Sequence, residues 1–240
     1  MPLHQWAPTT ERKVWPIWGR EYGVVPLDMI RLDPPDSLSM PVGEAMFTQR
    51  ATRRLDSNRP ISTEDLRTIL DAASKAPSGG NTQPVRFLVL NDAKILTKFG
   101  ALYYEAWWAK RFDDYGWNGP EDLPADSFYA SPALLASEMK NAPAVVLAFS
   151  PDTPGAESSV FPPVQNLLLA ARALGIGSVL TTLHAKVMDR VYSLLGVPAE
   201  LKFHCAMPLG YPRGAFGLTK RYPSSHTTHW NRWDGATPWS

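Results

Sequence analysis

Residues 76–84, with the sequence APSGGNTQP, are suited to contact a flat ligand. Two glycines and two prolines force a sharp, open turn between an amphipathic helix and the strand-like residues 86–90. The polar residues of this turn can present hydroxyl and amide groups without a bulky wall around them. A turn of this kind can lay its backbone against a planar ring, but an ordinary surface connection can have the same composition. These residues alone leave both interpretations open.

A compact basic cluster, RATRRL, occupies residues 50–55 and contains Arg50, Arg53 and Arg54. Taken alone it could be a solvated turn or a nucleic-acid contact. The whole chain has 24 Lys and Arg residues against 23 Asp and Glu residues, which gives a net charge of +1. A balance this close to zero gives no support to a nucleic-acid partner or to a membrane-surface partner.

The sequence lacks the usual motifs of nucleotide binding and nucleophilic catalysis. Residues 175–177, GIG, lack the third glycine of the dinucleotide-binding motif and follow a helix rather than a strand. There is no Gly-Lys-Ser/Thr phosphate loop and no Gly-x-Ser-x-Gly elbow. No metal is expected, because the histidines at positions 4, 184, 204, 226 and 229 form no ligand set with a cysteine or carboxylate. The demanding chemistry is therefore expected to come from a cofactor.

Cysteine usage and hydropathy bear on where the protein resides. The single cysteine, Cys205, has no second cysteine to pair with, which indicates a reducing compartment. No apolar run approaches the roughly 20 residues that span a bilayer. The N-terminus lacks the apolar core of a signal peptide. We therefore expect a cytoplasmic protein with no membrane partner.

Hydrophobic periodicity predicts helices that alternate with about four short strands, and hence an α/β or α+β layered fold. Ser62 is expected to cap a helix that ends before Pro77. The helix at 164–174 is apolar on more than one side and is expected at the centre of the fold. Further helices are predicted at 41–50, 95–103, 131–140 and 187–195, and strands at 86–91, 144–149, 179–182 and 203–209.

The two ends and one internal region are rich in aromatic residues. We expect an extended arm at 1–40, a main domain at 41–223 and an irregular tail at 224–240. The aromatic side chains of the arm would be costly to leave in water, so the arm is expected to lie on its own domain or on a second subunit. Residues 103–124 mix aromatic and charged side chains, which fits a core helix and a mobile excursion over a pocket equally well.

Four motifs together resemble the flavin-dependent nitroreductase family, in its order and spacing, between about residues 44 and 223. They are residues 50–55, residues 76–84, residues 165–177 with QNLLLAA and GIG, and residues 209–212 with LGYP. The resemblance implies an α+β fold of three layers, with a central and mostly antiparallel sheet flanked by helices. It also implies FMN as the bound cofactor and an intertwined homodimer with two active sites at the interface.

The resemblance assigns the arginines to FMN. It implies that Arg53 lies near N1 and O2 of the ring, where it would stabilise the reduced anion. Arg50 and Arg221 would hold the phosphate. The chain departs from the family pattern at Gln49, where an arginine is common, and at Ala51, where a serine is common. These departures would leave more of the phosphate to Arg221.

Two further segments are implied to contact the flavin. Ser78, Asn81 and Gln83 match positions of the family turn that meets the flavin. Thr181 and Thr182 match the segment beside N5 and O4 of the ring, where a backbone N–H could donate to N5.

The implied activity is the transfer of a hydride from NADH or NADPH, through FMN, to an electron-poor acceptor such as a nitroaromatic or a quinone. A planar acceptor would stack on Tyr104, Trp107 or Trp108. Other reactions of the family stay open, namely reductive dehalogenation, flavin breakdown and reduction linked to a deazaflavin. A non-catalytic flavin-binding protein also stays open.

Overall fold

The computed structural model describes residues 32–239, so most of the predicted arm, residues 1–31, lies outside the described residues. Six helices and four strands make up the regular part of the described chain. In chain order they are α1 (Val42–Thr48), α2 (Thr63–Ser74), β1 (Arg86–Leu90), α3 (Ala93–Tyr115), α4 (Ala130–Glu138), β2 (Ala144–Pro151), α5 (Phe161–Ala173), β3 (Gly177–Ser178), α6 (Met188–Leu195) and β4 (Leu201–Gly210).

The four strands form one antiparallel sheet in the order β1-β2-β4-β3. β2 is buried along its whole length, as expected for a strand covered by helices on both faces. Because alternate side chains of a strand point to opposite faces, Val145, Leu147 and Phe149 enter one core, whereas Val146 and Ala148 enter another.

Each core is closed by its own set of helices. Phe99 of α3, Leu135 of α4 and Val191 of α6 pack in the core that contains Leu147. Leu66 and Ile69 of α2 and Leu167 and Ala171 of α5 pack in the other core. The order helix, sheet, helix confirms the predicted α+β sandwich of three layers. α5 is buried on several sides, as expected for residues 164–174, but it lies in one of the two helical layers and not at the centre of the fold.

The helix boundaries follow from local capping. The Ser62 hydroxyl accepts a hydrogen bond from the Asp65 N–H at 2.9 Å and begins α2, as predicted. The Asp92 carboxylate accepts bonds from the N–H groups of Lys94 and Ile95 and begins α3. Gly116, with φ of 74°, ends α3 in the left-handed conformation that glycine tolerates best.

The structure decides between the two interpretations of residues 103–124. Residues 103–115 belong to α3, and Tyr103, Ala106 and Trp108 are buried in it. A core helix is therefore correct for residues 103–115, and a mobile excursion is wrong for them. Residues 116–129 form an irregular segment with a single 3-10 turn at Pro120–Asp122.

All four predicted strands have different limits in the structure. β1 ends at Leu90 instead of residue 91, and β4 covers Leu201–Gly210 instead of 203–209. β2 continues to Pro151, two residues beyond the expected end. The strand expected at 179–182 is instead the two-residue β3, and Thr181 forms an isolated bridge with Ala206. The described part of the C-terminal tail is irregular apart from the 3-10 turn Ser224–His226. Among residues 32–239, no helix is long and apolar enough to cross a membrane.

His204 is a titratable group of β4 that is buried beside β2. The Ser150 hydroxyl donates to the Pro151 carbonyl at 3.0 Å, so its oxygen accepts from His204 Nε2 at 2.8 Å. Burial lowers the pKa of His204 below its ordinary value. As the pH falls, His204 therefore becomes protonated in the unfolded chain before it does so in the folded chain. The stability that neutral His204 contributes is complete above about pH 6.5 and is lost as the pH falls towards the folded pKa.

We therefore expect the melting temperature to fall as the pH is lowered from 7 to 5, and to fall less in His204→Asn, which keeps a donor for Ser150 but does not titrate. Thermal unfolding of the two proteins at matched pH values measures the difference. Parallel curves for the two proteins would contradict a role for His204.

Candidate functional site

The segment that carries the predicted arginines runs along the outer edge of the sheet beside β3. The Thr52 N–H donates to the Ser178 carbonyl at 2.9 Å, and the Asp56 N–H donates to the Tyr211 carbonyl at 2.8 Å. A Cβ on Gly177 would lie 2.5 Å from Thr52 Cγ2. The glycine at 177 is therefore explained by the close approach of this segment, and the GIG sequence serves packing here.

Arg53 is a half-buried cation without an anionic partner within residues 32–239. Burial lowers the pKa of Arg53, with Tyr103 acting in the opposite direction and Arg50 lowering it further. An arginine stays charged under such a shift. Among the described residues, no hydrogen bond or ion pair is formed by the guanidinium of Arg53 or of Arg50. Two neighbouring guanidinium groups with no carboxylate between them favour an anionic ligand.

The C-terminal segment meets this edge from the other end of the chain. The Thr219 N–H donates to the Phe47 carbonyl at 3.0 Å, and a Cβ on Gly217 would lie 3.8 Å from Arg50 Nη1. Arg221 follows two residues after Thr219. It is exposed, and its Nη1 donates to the Lys220 carbonyl at 2.8 Å. The structure therefore brings the chain segment of Arg221 to the end of α1, next to the arginine cluster.

Thr181 and Thr182 lie just after β3, where Thr181 pairs with Ala206 of β4. The Thr181 N–H donates to the Ala206 carbonyl at 2.9 Å, and the Thr181 carbonyl accepts from the Ala206 N–H at 2.8 Å. The backbone of Thr181 is therefore already bonded. Thr182 is exposed, and its N–H has no hydrogen-bond partner among the described residues. Of the two threonines, Thr182 is therefore the one whose N–H can bind a ligand.

The turn at 78–83 has the open geometry expected of it. Gly80, Asn81 and Gln83 have φ values of 58°, 56° and 47°. The Ser78 hydroxyl accepts a bond from the Gln83 N–H at 3.0 Å. The Gly79 N–H donates to the Ser159 hydroxyl at 3.0 Å, which fixes the turn beside the start of α5. Positive φ at an asparagine and a glutamine is uncommon, so the bond to Ser78 holds a conformation that the residues would not adopt alone.

The two predicted halves of the site lie at diagonally opposite corners of the sheet. The turn leads into Arg86 of β1, which pairs with Phe149 of β2. The arginine cluster adjoins β3, which is three strands away and pairs with the far end of β4 at Leu209 and Gly210. Standard strand spacing and rise put the two corners roughly 25 Å apart. One protomer therefore brings Arg50, Arg53 and Thr181 together, but it does not bring them to Ser78, Asn81 and Gln83.

A model of the nitroreductase family matches residues 47–211, more than half of the 240 residues. The chain belongs to the nitroreductase family. A protein of Archaeoglobus fulgidus, provisionally named an NADH dehydrogenase/NAD(P)H nitroreductase, is 32% identical over 170 residues, which cover 70% of this chain and 84% of that protein. Iodotyrosine deiodinase of Thermotoga neapolitana is 32% identical over 166 residues, which cover 68% of this chain and 84% of that protein.

Solved structures of the nitroreductase family share the fold. A structure of oxidized iodotyrosine deiodinase bound to FMN and 3-iodo-L-tyrosine superimposes with a TM-score of 0.60 at 27% identity, covering 75% of this chain and 93% of that one. A provisionally named nitroreductase of Desulfovibrio desulfuricans in complex with FMN has a TM-score of 0.56 at 25% identity, covering 81% of this chain and 98% of that one.

The three aromatic residues predicted to meet the substrate differ in exposure. Trp108 is 5% exposed and lies in the core, where its indole N–H has no partner among the described residues. Trp107 is partly buried and meets Trp108 edge-on, with ring centroids 4.6 Å apart. Tyr104 is 37% exposed. In this nitroreductase-family chain, Tyr104 is therefore the one of the three that is open to a planar ligand.

Sequence reasoning missed two features of α3. Arg111 is 7% exposed and donates to Asp114 at 2.8 Å, while its guanidinium lies 4.5 Å from the centroid of Tyr129. It fastens residues 116–129 to α3 by a cation–π contact. Tyr103 was expected at the end of a predicted helix at 95–103 and in the aromatic region 103–124, without a role in the site. Its hydroxyl lies 2.8 Å from Thr181 Oγ1, inside the candidate site.

Proposed function

We propose that the protein is an FMN-dependent oxidoreductase that uses NADH or NADPH to reduce an electron-poor planar acceptor such as a nitroaromatic or a quinone. The observation that carries the proposal is the pair Arg50 and Arg53, which has no anionic partner among the described residues at the edge of a nitroreductase fold. A phosphate or a reduced flavin ring is the kind of anion that such a pair stabilises.

The residues present fit FMN. Arg50 and Arg221 would hold its phosphate, and Arg53 would face the N1 and O2 side of its ring, where a positive charge stabilises the reduced form. Thr182 would direct its N–H, which has no partner among residues 32–239, at the N5 side. When bound, FMN supplies hydride acceptance and donation, and the chain supplies binding and orientation.

We also propose that the active form is a homodimer in which the turn at 78–83 of one copy completes the site of the other. The distance of roughly 25 Å between the two halves within one protomer supports this arrangement. Exposed apolar side chains on α1 support it too, because Val42 is 70%, Met46 58% and Phe47 67% exposed in the single chain. A contiguous apolar surface of this kind is typical of a face that a partner covers.

The proposed acceptor site lies against α3. Tyr104 offers an exposed ring to a planar acceptor, and Trp108 of the same helix meets it edge-on, with ring centroids 6.2 Å apart. We propose a cytoplasmic location, in which reduced nicotinamide would be at hand. The single cysteine, Cys205, which has no second cysteine to pair with in the sequence, is consistent with a reducing compartment.

The absorption spectrum of the purified protein tests the proposal. We expect flavin bands in the visible region, either as isolated or after addition of FMN, and their bleaching by anaerobic NADPH or NADH. Restoration of the bands by a nitroaromatic or a quinone would identify the acceptor class. A protein that stays colourless after FMN addition would refute the proposal. A protein that binds FMN but is not reduced by either nicotinamide would point to a non-catalytic flavin-binding protein.

Reductive dehalogenation is the second candidate. The names of two relatives favour it, since one is an iodotyrosine deiodinase at 32% identity and the other is a deiodinase structure bound to 3-iodo-L-tyrosine at 27% identity. In that reaction two electrons and one proton replace the carbon–iodine bond by a carbon–hydrogen bond and release iodide. The test is to incubate the FMN-loaded protein with 3-iodo-L-tyrosine and dithionite and to quantify tyrosine and iodide. Release of neither product above a protein-free control would exclude this candidate.

A further inference from the structure

The phenol of Tyr103 links α3 to the segment beside the arginine cluster. Tyr103 is 2% exposed, and its hydroxyl lies 2.8 Å from the hydroxyl of Thr181, 78 residues further along the chain. Burial raises the pKa of Tyr103, so the phenol is neutral at physiological pH. The same phenol lies near the guanidinium of Arg53.

The bond to Tyr103 completes the fixation of Thr181. Two backbone bonds, at 2.9 and 2.8 Å, already tie Thr181 to Ala206 of β4. The remaining polar group of Thr181 is its hydroxyl, and Tyr103 determines the direction in which that hydroxyl points. The next residue, Thr182, is exposed, and its N–H has no hydrogen-bond partner among the described residues. The placement of that N–H therefore depends on Thr181 being held on both sides.

We propose that Tyr103 is a positioning residue of the flavin site. It acts through Thr181 and holds residues 181–182 beside Arg50 and Arg53. The inference rests on the FMN-binding function proposed above. Tyr103 itself is too deeply buried to touch a ligand. Its effect is to restrict the segment before a ligand arrives, so that less conformational freedom is lost on binding. Removing the hydroxyl would also leave the hydroxyl of Thr181 without its partner.

The chain offers a matched control for this phenol. Tyr192 of α6 also ties a helix to β4, since its hydroxyl donates to the Leu201 carbonyl at 2.6 Å and accepts from the Phe203 N–H at 3.0 Å. Leu201 and Phe203 lie at the end of β4 far from β3. Tyr103→Phe and Tyr192→Phe therefore each remove one phenol hydroxyl that links a helix to a distant segment, one inside the candidate site and one outside it. Tyr103 is the more deeply buried of the two.

The experiment compares the FMN dissociation constant of the full-length wild type, the two variants and Thr181→Val, by quenching of flavin fluorescence. We expect Tyr103→Phe to raise the dissociation constant about 5- to 10-fold, as the loss of one hydrogen bond predicts. Tyr192→Phe should stay within about twofold of the wild type. Because Tyr103 acts through Thr181, the double variant Tyr103→Phe/Thr181→Val should be no weaker than Thr181→Val alone.

The visible circular dichroism of the bound flavin gives a second readout, because a role in general stability would leave it unchanged. We expect it to change in Tyr103→Phe and to match the wild type in Tyr192→Phe. Equal losses in the two tyrosine variants, or additive losses in the double variant, would overturn the inference. A wild type that binds no FMN would instead refute the proposed function, so the two failures are distinguishable.

Discussion

Replacement of Arg53 by alanine is expected to raise the FMN dissociation constant by roughly 10- to 100-fold, which corresponds to the loss of a charge-assisted hydrogen bond worth about 1.5–3 kcal/mol. Arg53 is half-buried and, among the described residues, it has no acidic partner. The variant therefore loses an interaction with the ligand without leaving a carboxylate unpaired. The loss should be larger for reduced than for oxidised FMN, since the positive charge favours the anionic ring. Titration with FMN before and after anaerobic reduction measures both constants.

Arg54 provides the control for this prediction. It is the adjacent residue and its side chain is exposed, and its carbonyl accepts from the Arg213 N–H at 2.9 Å, a bond that substitution of the side chain preserves. Arg54→Ala removes the same charge from the same segment and should change the dissociation constant by less than about twofold. If Arg54→Ala weakened FMN binding as much as Arg53→Ala did, the loss would come from the overall charge of the segment, and the assigned role of Arg53 would be wrong.

The layered fold could be predicted because its signals are local. The apolar run of β2, the cap at Ser62 and the apolar surface of α5 each depend on residues that are neighbours in sequence, and each gave the correct element. The assignment of β2 side chains to two different cores could not be predicted in the same way. It depends on which helices cover each face, and those helices come from distant parts of the chain.

The aromatic part of α3 shows why composition alone was ambiguous. Its aromatic side chains are interleaved with charged ones, so their composition alone does not distinguish a core helix from an irregular segment. The buried positions Leu96, Phe99, Tyr103 and Ala106 do recur at helical spacing and continue the face that was predicted further upstream. Gly116, just after the last helical residue, is a typical end signal. Those two signals could have settled the question from the sequence.

The contents of the candidate site were predicted only where a family motif supplied them. The bond between Tyr103 and Thr181 joins residues that no periodicity connects, so the sequence carries no signal for it. Sequence reasoning also treated Thr181 and Thr182 alike. In the structure the Ala206 bridge uses the N–H of Thr181 and leaves that of Thr182. Such distinctions depend on strand pairing, which is fixed by tertiary contacts.

Mixed dimers test whether two protomers share each flavin site, and they should show the second large effect on FMN binding that we expect. Arg53→Ala damages the arginine half, and Gly79→Leu would block the turn. A Cβ at Gly79 would lie 3.7 Å from Ser159 Oγ, an ordinary contact, so the fold should tolerate the change. Each homodimer alone should bind FMN poorly. In the proposed twofold dimer, each of the two equivalent sites combines the arginines of one protomer with the 78–83 turn of the other. A heterodimer of the two variants would therefore hold one site built from two intact halves and one built from two damaged halves.

Random pairing of the two variants should therefore restore about one quarter of the wild-type FMN sites, with the affinity of the wild type. Co-expression with two different tags, purification of the mixed population and titration with FMN would measure this fraction. If each protomer built its site alone, every protomer in the mixture would remain damaged and no tight sites would appear. A site shared between protomers therefore requires that tight FMN sites be recovered. If the mixed protein is shown to be dimeric and no tight sites appear, both halves of the flavin contact lie within one chain.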